Sequence, residues 1–183
     1  RLAQNCTIKQ AIARAVGIKP GFRPTILDGT AGLGTDSFVL ASLDCHITMC
    51  ERSPVIGALL EDGLLRAAKW EKTTDIVKRL NLVLSDTMEY LQKSTESFHT
   101  IYLDPMYPHR NQSALNKQTL RIIRSLVGGD PDGAALLEVA LNKAKNRVVV
   151  KRPRHAPLLS SVKPSHVIEM KNSRFDIYLT FNS

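Results

Sequence analysis

The chain has no apolar run long enough to cross a membrane. It has 183 residues and is 43% hydrophobic, but no stretch approaches the ~20 apolar residues that a membrane-spanning helix needs. No signal-peptide pattern stands at its start. The first residue is Arg1 rather than Met, so we expect a preceding N-terminal region. Length and composition predict a soluble protein whose residues 1–183 form a single domain with a substantial core and no membrane partner.

The chain is also poor in cysteine. Its three cysteines, Cys6, Cys45 and Cys50, lack metal-ligand spacing, and their odd number argues against a disulfide framework. We interpret them as reduced thiols of a cytoplasmic protein, with Cys45 and Cys50 flanking or lying in a strand. Neither His109 nor His155 has a second ligand at a recognised spacing, so the sequence predicts no metal site.

The chain has fewer acidic than basic residues. The 17 acidic residues face 25 lysines and arginines, for a formal net charge of +8 at pH 7. Excess positive charge attracts polyanions and speeds their encounter with the protein. A basic surface that only aids solubility would give the same count, so charge alone leaves both interpretations open.

Short apolar runs alternate with segments of helical periodicity along most of the chain. The predicted strands are 25–28, 47–50, 80–84, 100–103, 147–150, 167–170 and 175–181. The predicted helices are 36–43, 54–70, 87–92, 114–127, 133–144 and, within an N-terminal helical segment 1–20, residues 8–16. Residues 71–78 fit either a loop or a continued helix. Trp70, at the end of the long helix, is expected to pack in the core.

The order of these elements predicts an α/β fold with a mainly parallel, seven-stranded sheet and helices on both faces. Residues 171–174 alone separate the last two strands. This link is too short for a crossover helix, so the pair is predicted to be an antiparallel hairpin. Five parallel strands followed by such a hairpin are typical of the Rossmann-like fold of class I methyltransferases rather than of a plain dinucleotide-binding domain.

The most informative motif is the proline turn, residues 103–108, with the sequence Leu-Asp-Pro-Met-Tyr-Pro. It follows an apolar strand, and its two prolines fix φ and remove N–H donors, so its oxygens stay available as acceptors. The Asp104 carboxylate, the Pro105 carbonyl and the Tyr107 ring suit a planar group with an exocyclic amine, such as a nucleobase. A proline-rich strand exit with a surface tyrosine is the alternative, and this motif alone does not decide between them.

Four acidic residues stand at the predicted strand exits: Asp28, Glu51, Asp86 and Asp104. Ligands of open α/β sheets bind at the carboxyl ends of the strands, near the switch in strand order. Any single acid there could be a helix N-cap or a turn residue. Four at the same edge predict a rim rich in hydrogen-bond acceptors.

The first of these acids opens the glycine loop, residues 28–36, with the sequence Asp-Gly-Thr-Ala-Gly-Leu-Gly-Thr-Asp. Its glycines allow close approach of a ligand, and backbone N–H groups at the following helix start can receive a carboxylate or a phosphate. The spacing Gly-x-x-Gly-x-Gly differs from the dinucleotide fingerprint Gly-x-Gly-x-x-Gly. Glu51 can accept both hydroxyls of a ribose, and Asp86 with Thr87 can bind an adenine amino group. Together these features fit S-adenosylmethionine in an extended pose.

At these residues the chain resembles the ribosomal RNA small subunit methyltransferase J family, which methylates the N2 amine of a guanosine in 16S ribosomal RNA. The matching stretches are residues 30–36, 39–42, 51–55, 103–109, 125–128, 148–153 and 174–178. The resemblance implies that S-adenosylmethionine is the cofactor. The residues predicted to bind it are Asp28, Gly32, Gly34, Thr35, Asp36, Glu51, Arg52, Asp86, Thr87 and Asp104.

The hypothesis for catalysis is an in-line displacement in which Asp104 and the Pro105 carbonyl accept the hydrogens of the amine and Tyr107 stacks on the base. Basic residues near the rim are predicted to hold the RNA, although solvated surface charge is the alternative for each. They are Arg110, Lys117, Arg121, Arg124, Lys151, Arg152 and Arg154.

Three other functions stay open on the residues alone: methylation of an amine on another RNA or DNA base, a nicotinamide-dependent oxidoreductase, and a non-catalytic RNA-binding module. An oxidoreductase would leave the proline turn and the C-terminal hairpin unexplained. A binding module would have no need of four aligned acids.

Overall fold

The apolar runs of the chain form one seven-stranded sheet in a computed structural model that describes residues 7–105 and 132–182. The strands are β1 (Ile26–Asp28), β2 (Ile47–Glu51), β3 (Leu80–Leu84), β4 (Thr100–Leu103), β5 (Arg147–Pro153), β6 (His166–Glu169) and β7 (Ser173–Leu179). Their order across the sheet is β3-β2-β1-β4-β5-β7-β6. The first five strands pair in parallel, and β7 pairs antiparallel with both β5 and β6. The predicted fold class and the terminal hairpin are confirmed.

The strand order reverses at β1, which lies between β2 and β4. At its last residue, Asp28 stands opposite Met49 of β2 and Tyr102 of β4. Such a reversal opens a crevice at the carboxyl edge of the sheet, because the loops after the two neighbouring strands leave in opposite directions. The residues that follow β1, β2, β3 and β4 therefore share one edge of the molecule.

Successive strand residues enter two separate cores, one on each face of the sheet. In β4, Tyr102 packs in one core, and Ile101 and Leu103 pack in the other. This alternation follows from the period of two residues in a strand. The described helices that complete the layers are α1 (Ala11–Val16), α2 (Thr35–Ala41), α3 (Pro54–Ala68) and α4 (Glu71–Val77) on the first face and α5 (Thr87–Lys93) and α6 (Gly133–Lys143) on the second.

The predicted helix 54–70 is confirmed as α3 with an end two residues earlier, and the segment after it forms a second helix. The first, α3, begins at Pro54, where a proline is favoured because the first-turn N–H has no partner, and the Ser53 hydroxyl accepts from the Ile56 N–H at 3.4 Å. It ends at Ala68, and α4 begins at Glu71. Residues 71–77 are thus a separate helix, neither a loop nor a continuation.

Trp70 lies at the turn between α3 and α4, and the prediction that it packs in the core was wrong. Its side chain is 70% exposed. The chain changes direction there, since the N–H groups of Thr73 and Thr74 both donate to the Trp70 carbonyl. The ring consequently leaves the apolar stripe that the helical period assigned to it.

The fifth strand continues three residues beyond its predicted end, through Pro153. It pairs with β7 over its full length, so that Lys151 stands opposite Phe175 and Arg152 opposite Arg174. Because Leu103 pairs with Val150, this extension carries Lys151 alongside the residue that follows β4. The extension thereby brings a cation to the carboxyl edge of the sheet.

Cys45 and Cys50 are buried free thiols, with Cys50 in β2. Burial raises the pKa of the Cys45 thiol to about 11 and that of Cys50 to about 12, so both stay protonated at neutral pH. The predicted helix 114–127, Cys6 and Tyr107 lie outside the described residues. Within residues 7–105 and 132–182, no helix has the length and apolar character needed to span a membrane.

Candidate active site

The four predicted acids do meet at one edge of the sheet. Asp28 and Glu51 are the last residues of β1 and β2, and Asp104 directly follows β4. Asp86 follows β3 by two residues and caps α5, accepting from the N–H groups of the next turn. The strand-exit argument from the sequence therefore placed all four correctly.

The glycine loop is held in place from several sides. The Gly29 N–H donates to the Tyr102 carbonyl at 2.9 Å, and the Gly29 carbonyl accepts from the Thr87 hydroxyl at 2.7 Å. A Cβ on Gly29 would lie 2.8 Å from two neighbouring side chains, so this close approach requires glycine. The Thr30 hydroxyl accepts from the Asp104 N–H at 2.6 Å and so joins the loop to the proline turn.

Two later glycines shape the mouth of the loop. Gly34 has φ +70° at the N-cap of α2, and a Cβ there would lie 2.8 Å from Leu60 Cδ1. Gly32 has φ +54°, but a Cβ there would meet only the Thr30 carbonyl oxygen, at 3.9 Å. The loop is thus tight beneath Gly34 and open beside Gly32, where a ligand can approach the backbone.

Asp28 supports this loop from below with both of its oxygens. It accepts from the Thr30 N–H at 3.1 Å and from the Ser37 hydroxyl at 2.6 Å. The residue is 2% exposed, and burial raises the pKa of its carboxyl to about 7, against the lowering effect of these two hydrogen bonds. Each oxygen already accepts one hydrogen bond, and only 2% of the residue is exposed, so the part of Asp28 in a cofactor site is indirect.

Asp36 and Asp104 each have one oxygen held and one oxygen open. Lys151 Nζ lies 2.7 Å from Asp36 Oδ2 and 2.9 Å from Asp104 Oδ2. The Tyr102 hydroxyl donates to Asp36 Oδ2 at 2.6 Å. Among the described residues, nothing donates to Oδ1 of either aspartate. Each aspartate therefore keeps one oxygen to which no described residue donates.

Burial and the charges of neighbouring side chains determine the ionisation of Asp104, Lys151 and Tyr102. Burial raises the pKa of Asp104, and the charge of Lys151 opposes that rise. Burial lowers the pKa of Lys151, but Asp104 and Asp36 more than reverse this effect, so its net shift is upward. The pKa of Tyr102 is raised well above its usual value by burial and by Asp36, so its hydroxyl stays a donor.

The remaining two acids keep acceptor capacity as well. Glu51 is 7% exposed and accepts one N–H at each oxygen, from Ser53 at 2.7 Å and from Gly32 at 2.9 Å. A carboxylate has about four lone-pair sites, so two stay available for a ribose. Asp86 Oδ1 accepts two backbone N–H groups, whereas no described residue donates to its Oδ2.

Other predicted cofactor residues have partners that the sequence did not reveal. The Thr87 hydroxyl hydrogen is committed to the Gly29 carbonyl, so Thr87 has only lone pairs left for a ligand. Arg52 forms an ion pair with Asp132 at 3.0 Å, which joins the end of β2 to the start of α6. Thr35 is the exposed first residue of α2.

Of the seven basic residues predicted to hold RNA, the structure describes three, Lys151, Arg152 and Arg154. Arg152 is 5% exposed and donates to the Pro157 carbonyl at 3.2 Å, so the prediction that it holds RNA at the surface was wrong. Its position within the extended β5 explains the burial. Lys151 pairs with the two aspartates, and Arg154 pairs with Glu169 at 2.9 Å. The other four predicted residues, Arg110, Lys117, Arg121 and Arg124, lie outside the described residues.

Two features of the site were not predicted from the sequence: the place of Tyr102 and the contacts of Lys151 with Asp36 and Asp104. A signal for Tyr102 existed, because residues two apart in a strand share a face, and Tyr102 and Asp104 are so spaced. No comparable signal existed for Lys151, since its place beside Asp104 depends on the pairing of β4 with β5.

A cavity of about 310 Å³ lies at the opposite, amino edge of the strands, lined in part by Thr25, His46, Lys78 and Ser97. It contains none of the predicted site residues. The carboxyl edge, with open oxygens on Asp36, Asp86 and Asp104 and an accessible loop at Gly32, fits a ligand that carries an ammonium group, a ribose and an adenine.

Comparisons with known proteins agree with this chemistry. Residues 1–180 match a family model described as "Putative SAM-dependent methyltransferase". Over 180 residues the chain is 55% identical to ribosomal RNA small subunit methyltransferase J of Desulfotalea psychrophila, a match that covers 98% of this chain and 69% of that protein. It is 55% identical over 170 residues to the protein of the same name from Pseudomonas fluorescens, covering 92% of this chain and 65% of the relative. The chain thus spans about two thirds of the length of these relatives.

A solved structure leads to the same family. The crystal structure of a SAM-dependent methyltransferase from Neisseria gonorrhoeae is 36% identical in sequence, superposes with a TM-score of 0.77, and is matched over 97% of this chain and 74% of that one. The chain belongs to the ribosomal RNA small subunit methyltransferase J family of SAM-dependent methyltransferases.

Proposed function

We propose that this chain transfers a methyl group from S-adenosylmethionine to the exocyclic N2 amine of a guanosine in 16S ribosomal RNA. The observation that carries the proposal is the Asp104 carboxylate, with Oδ2 held by Lys151 and Oδ1 open, at the carboxyl end of β4. An oriented acceptor at this place is what an exocyclic amine needs. The choice of guanine rests on the family, because the geometry alone would accept other amino-bearing bases.

The cofactor would be held by the rim on the β1, β2 and β3 side of Asp104. Glu51, with a free lone pair at each oxygen, would accept the ribose hydroxyls, and Asp86 Oδ2 would accept from the adenine amino group. The backbone beside Gly32 and the open oxygen of Asp36 would receive the amino-acid end. This assignment is supported by the acceptor capacity of each group.

The chain's residues would act mainly by alignment. When bound, S-adenosylmethionine supplies a methyl group on a sulfonium that is already a good electrophile. Asp104 Oδ1 and the Pro105 carbonyl would accept the two hydrogens of the amine and so turn its lone pair outward. Alignment of this kind can lower a barrier by ~7–11 kcal/mol. The proton that the amine loses can leave to water, so no dedicated base is required.

The target base would have to leave its stack to reach this turn, as it does in other enzymes that modify bases. Tyr107 would stack on the extruded base, and an aromatic contact of this kind contributes ~1–3 kcal/mol. The net charge of +8 supports binding to the phosphate backbone. A protein that modifies ribosomal RNA would work in the cytoplasm.

The test supplies methyl-labelled S-adenosylmethionine and unmodified small ribosomal subunits or naked 16S RNA to the full-length protein, then maps the labelled nucleotide. We expect label on the N2 atom of a guanosine. Asp104→Asn should lower the rate by ~10²–10³-fold, because the amide cannot replace a charged acceptor. Asp75→Asn is the matched control, since Asp75 is an exposed acid paired with Lys78 on α4.

Three results would contradict the proposal. Label on an adenine or cytosine amine would change the substrate, and absence of label from both substrates would remove the activity. An Asp104→Asn protein as active as the control would remove Asp104 from catalysis.

A further inference from the structure

One cation at the carboxyl edge holds two acids that come from different elements. Lys151 lies in β5, Asp36 in the first turn of α2 and Asp104 after β4, yet a single ammonium nitrogen contacts both carboxylates within 2.9 Å. The Lys151 side chain is 29% exposed, which is low for a lysine. The side chain is therefore a fixed part of the crevice wall.

The charges around Asp104 are unbalanced without this lysine. Among the described residues, Asp28 at the end of β1 and Asp36 on α2 are acids that interact with Asp104. Tyr102 of β4 donates to Asp36, and Arg152 of β5 adds a second, weaker positive influence on Asp104. Lys151 is the cation in direct contact with the Asp104 carboxylate.

We propose that Lys151 is a positioning residue, which keeps Asp104 ionised and turned so that its Oδ1 faces the substrate amine. The same contact fixes Asp36, whose Oδ1 is then left for the cofactor. This role goes beyond the proposed function and rests on it for its catalytic consequence. Lys151 itself takes no proton, because its pKa is shifted upward by the two carboxylates.

The consequence is a dependence on pH that a purely structural lysine would not produce. An opposite charge within about 4–6 Å lowers the pKa of an aspartate by about 1–3 units. Burial already raises the pKa of Asp104 with Lys151 in place. Without Lys151 the pKa would rise further, so that the carboxyl would be protonated closer to neutral pH. A protonated carboxyl is neutral. It therefore accepts hydrogen bonds from the protein and from the amine less well than the carboxylate does.

The experiment compares Lys151→Met, which keeps length and removes charge, with Lys151→Arg, which keeps charge. Carbon NMR of the Asp104 carboxyl is followed against pH in the ligand-free protein, and methyl transfer is measured over the same range. In Lys151→Met we expect the Asp104 midpoint and the acid limb of the rate profile to move up together, by about 1–3 pH units. In Lys151→Arg both should return toward the wild-type values. Lys78→Met is the control, because Lys78 is an exposed lysine on Asp75.

A third measurement needs no substitution and therefore survives if a variant does not fold. In the wild-type protein, the Lys151 Nζ resonance should change with the same midpoint as the Asp104 carboxyl. A Lys151 signal that ignores the titration of Asp104 would overturn the assignment. So would a Lys151→Met protein whose activity falls equally at every pH, with the Asp104 midpoint unmoved.

Failure of this proposal is separable from failure of the proposed function. If the wild-type protein methylates no guanosine while the Asp104 midpoint still moves in Lys151→Met, then Lys151 orders the carboxylate but the substrate is a different one. If guanosine is methylated and the midpoint does not move, the function stands and the role of Lys151 is rejected.

Discussion

At the scale of single residues, an acid at this edge either supports the loop or keeps an acceptor for a ligand, depending on its burial and on the hydrogen bonds that its oxygens already accept. Asp28 uses both oxygens on the loop and the Ser37 hydroxyl, and it is a structural support. Asp104 and Asp36 use one oxygen each and present the other. The distinction depends on donors from other elements, so equal residue types at equal strand ends acquire different chemistry.

A first prediction concerns Asp28 and the pH dependence of stability. Burial raises the pKa of its carboxyl from 3.8 to about 7, so between these values the folded protein holds a proton that the unfolded chain has released. The free energy of unfolding must therefore fall as pH rises through this window. The Asp28→Asn variant has no titratable group at this position. Between pH 4.5 and pH 8, its free energy of unfolding should therefore fall by about 2–4 kcal/mol less than that of the wild-type protein.

Urea unfolding at the two pH values, for wild type and for Asp28→Asn, gives this difference directly. Asp75→Asn serves as the control, because Asp75 is an exposed acid with no raised pKa. Equal pH dependence in wild type and Asp28→Asn would show that Asp28 is ionised in the folded protein throughout.

At the scale of elements, short apolar runs predicted the described strands. The signal was clearest for β1, β2 and β4, because strands buried on both faces are nearly continuous in apolar residues. The ends of elements were harder. The end of β5 depends on pairing with β7, and the break between α3 and α4 depends on hydrogen bonds to the Trp70 carbonyl. Both are contacts that a local pattern does not contain.

A second prediction belongs to the glycine loop. Gly34→Ala should lower the free energy of unfolding by about 1–3 kcal/mol, because alanine is strained at φ +70° and its Cβ would press on Leu60. It should also weaken binding of S-adenosylhomocysteine, measured by calorimetry, since the loop mouth would shift. Gly63→Ala is the opposite case: apart from the neighbouring backbone of α3, no described atom lies within 4 Å of the added Cβ, so it should stabilise by ~0.5–1 kcal/mol.

Together, the two glycine variants test whether affinity for S-adenosylhomocysteine depends on the glycine loop rather than on α3. Calorimetry on Gly63→Ala should give unchanged affinity. Unchanged affinity in Gly34→Ala as well would mean that the loop takes no part in holding the cofactor.

A third prediction concerns the join between β7 and the segment after β5. Arg174 forms two hydrogen bonds to Asp176, at 2.7 and 3.1 Å, and donates at 2.7 Å to the carbonyls of Arg154 and Ala156. Asp176 is fully buried. Arg174→Met should lower the free energy of unfolding by ~3–5 kcal/mol, because it leaves a buried carboxylate without its cation.

The double variant Arg174→Met with Asp176→Leu separates charge from loop anchoring. It should recover part of the loss in denaturant unfolding, since the orphaned carboxylate is gone, while the two carbonyls still lack their donor. If the double variant is no more stable than Arg174→Met, the loss of stability comes entirely from the missing hydrogen bonds to the carbonyls of Arg154 and Ala156.

At the scale of the whole molecule, the net charge of +8 favours contacts with many phosphates of the proposed RNA substrate. We predict that the affinity for 16S RNA falls at least ~10-fold between 50 and 200 mM salt, because bound counterions are released from the RNA. Filter binding across this range measures it. The affinity for S-adenosylhomocysteine, measured in the same buffers, should change far less, and a flat response for RNA would remove phosphate contacts from the binding energy.

The sequence by itself determined the α/β fold class, the C-terminal hairpin and the four acids at the strand exits. Each of these depends on periodicity and spacing along the chain. Only the tertiary structure decided which acid oxygens stay open. That choice requires Tyr102 of β4 and Lys151 of β5 to meet at Asp36 of α2, with the same lysine also contacting Asp104. Local patterns cannot encode such a meeting, since it arises from strand register and from the extension of β5 along β7.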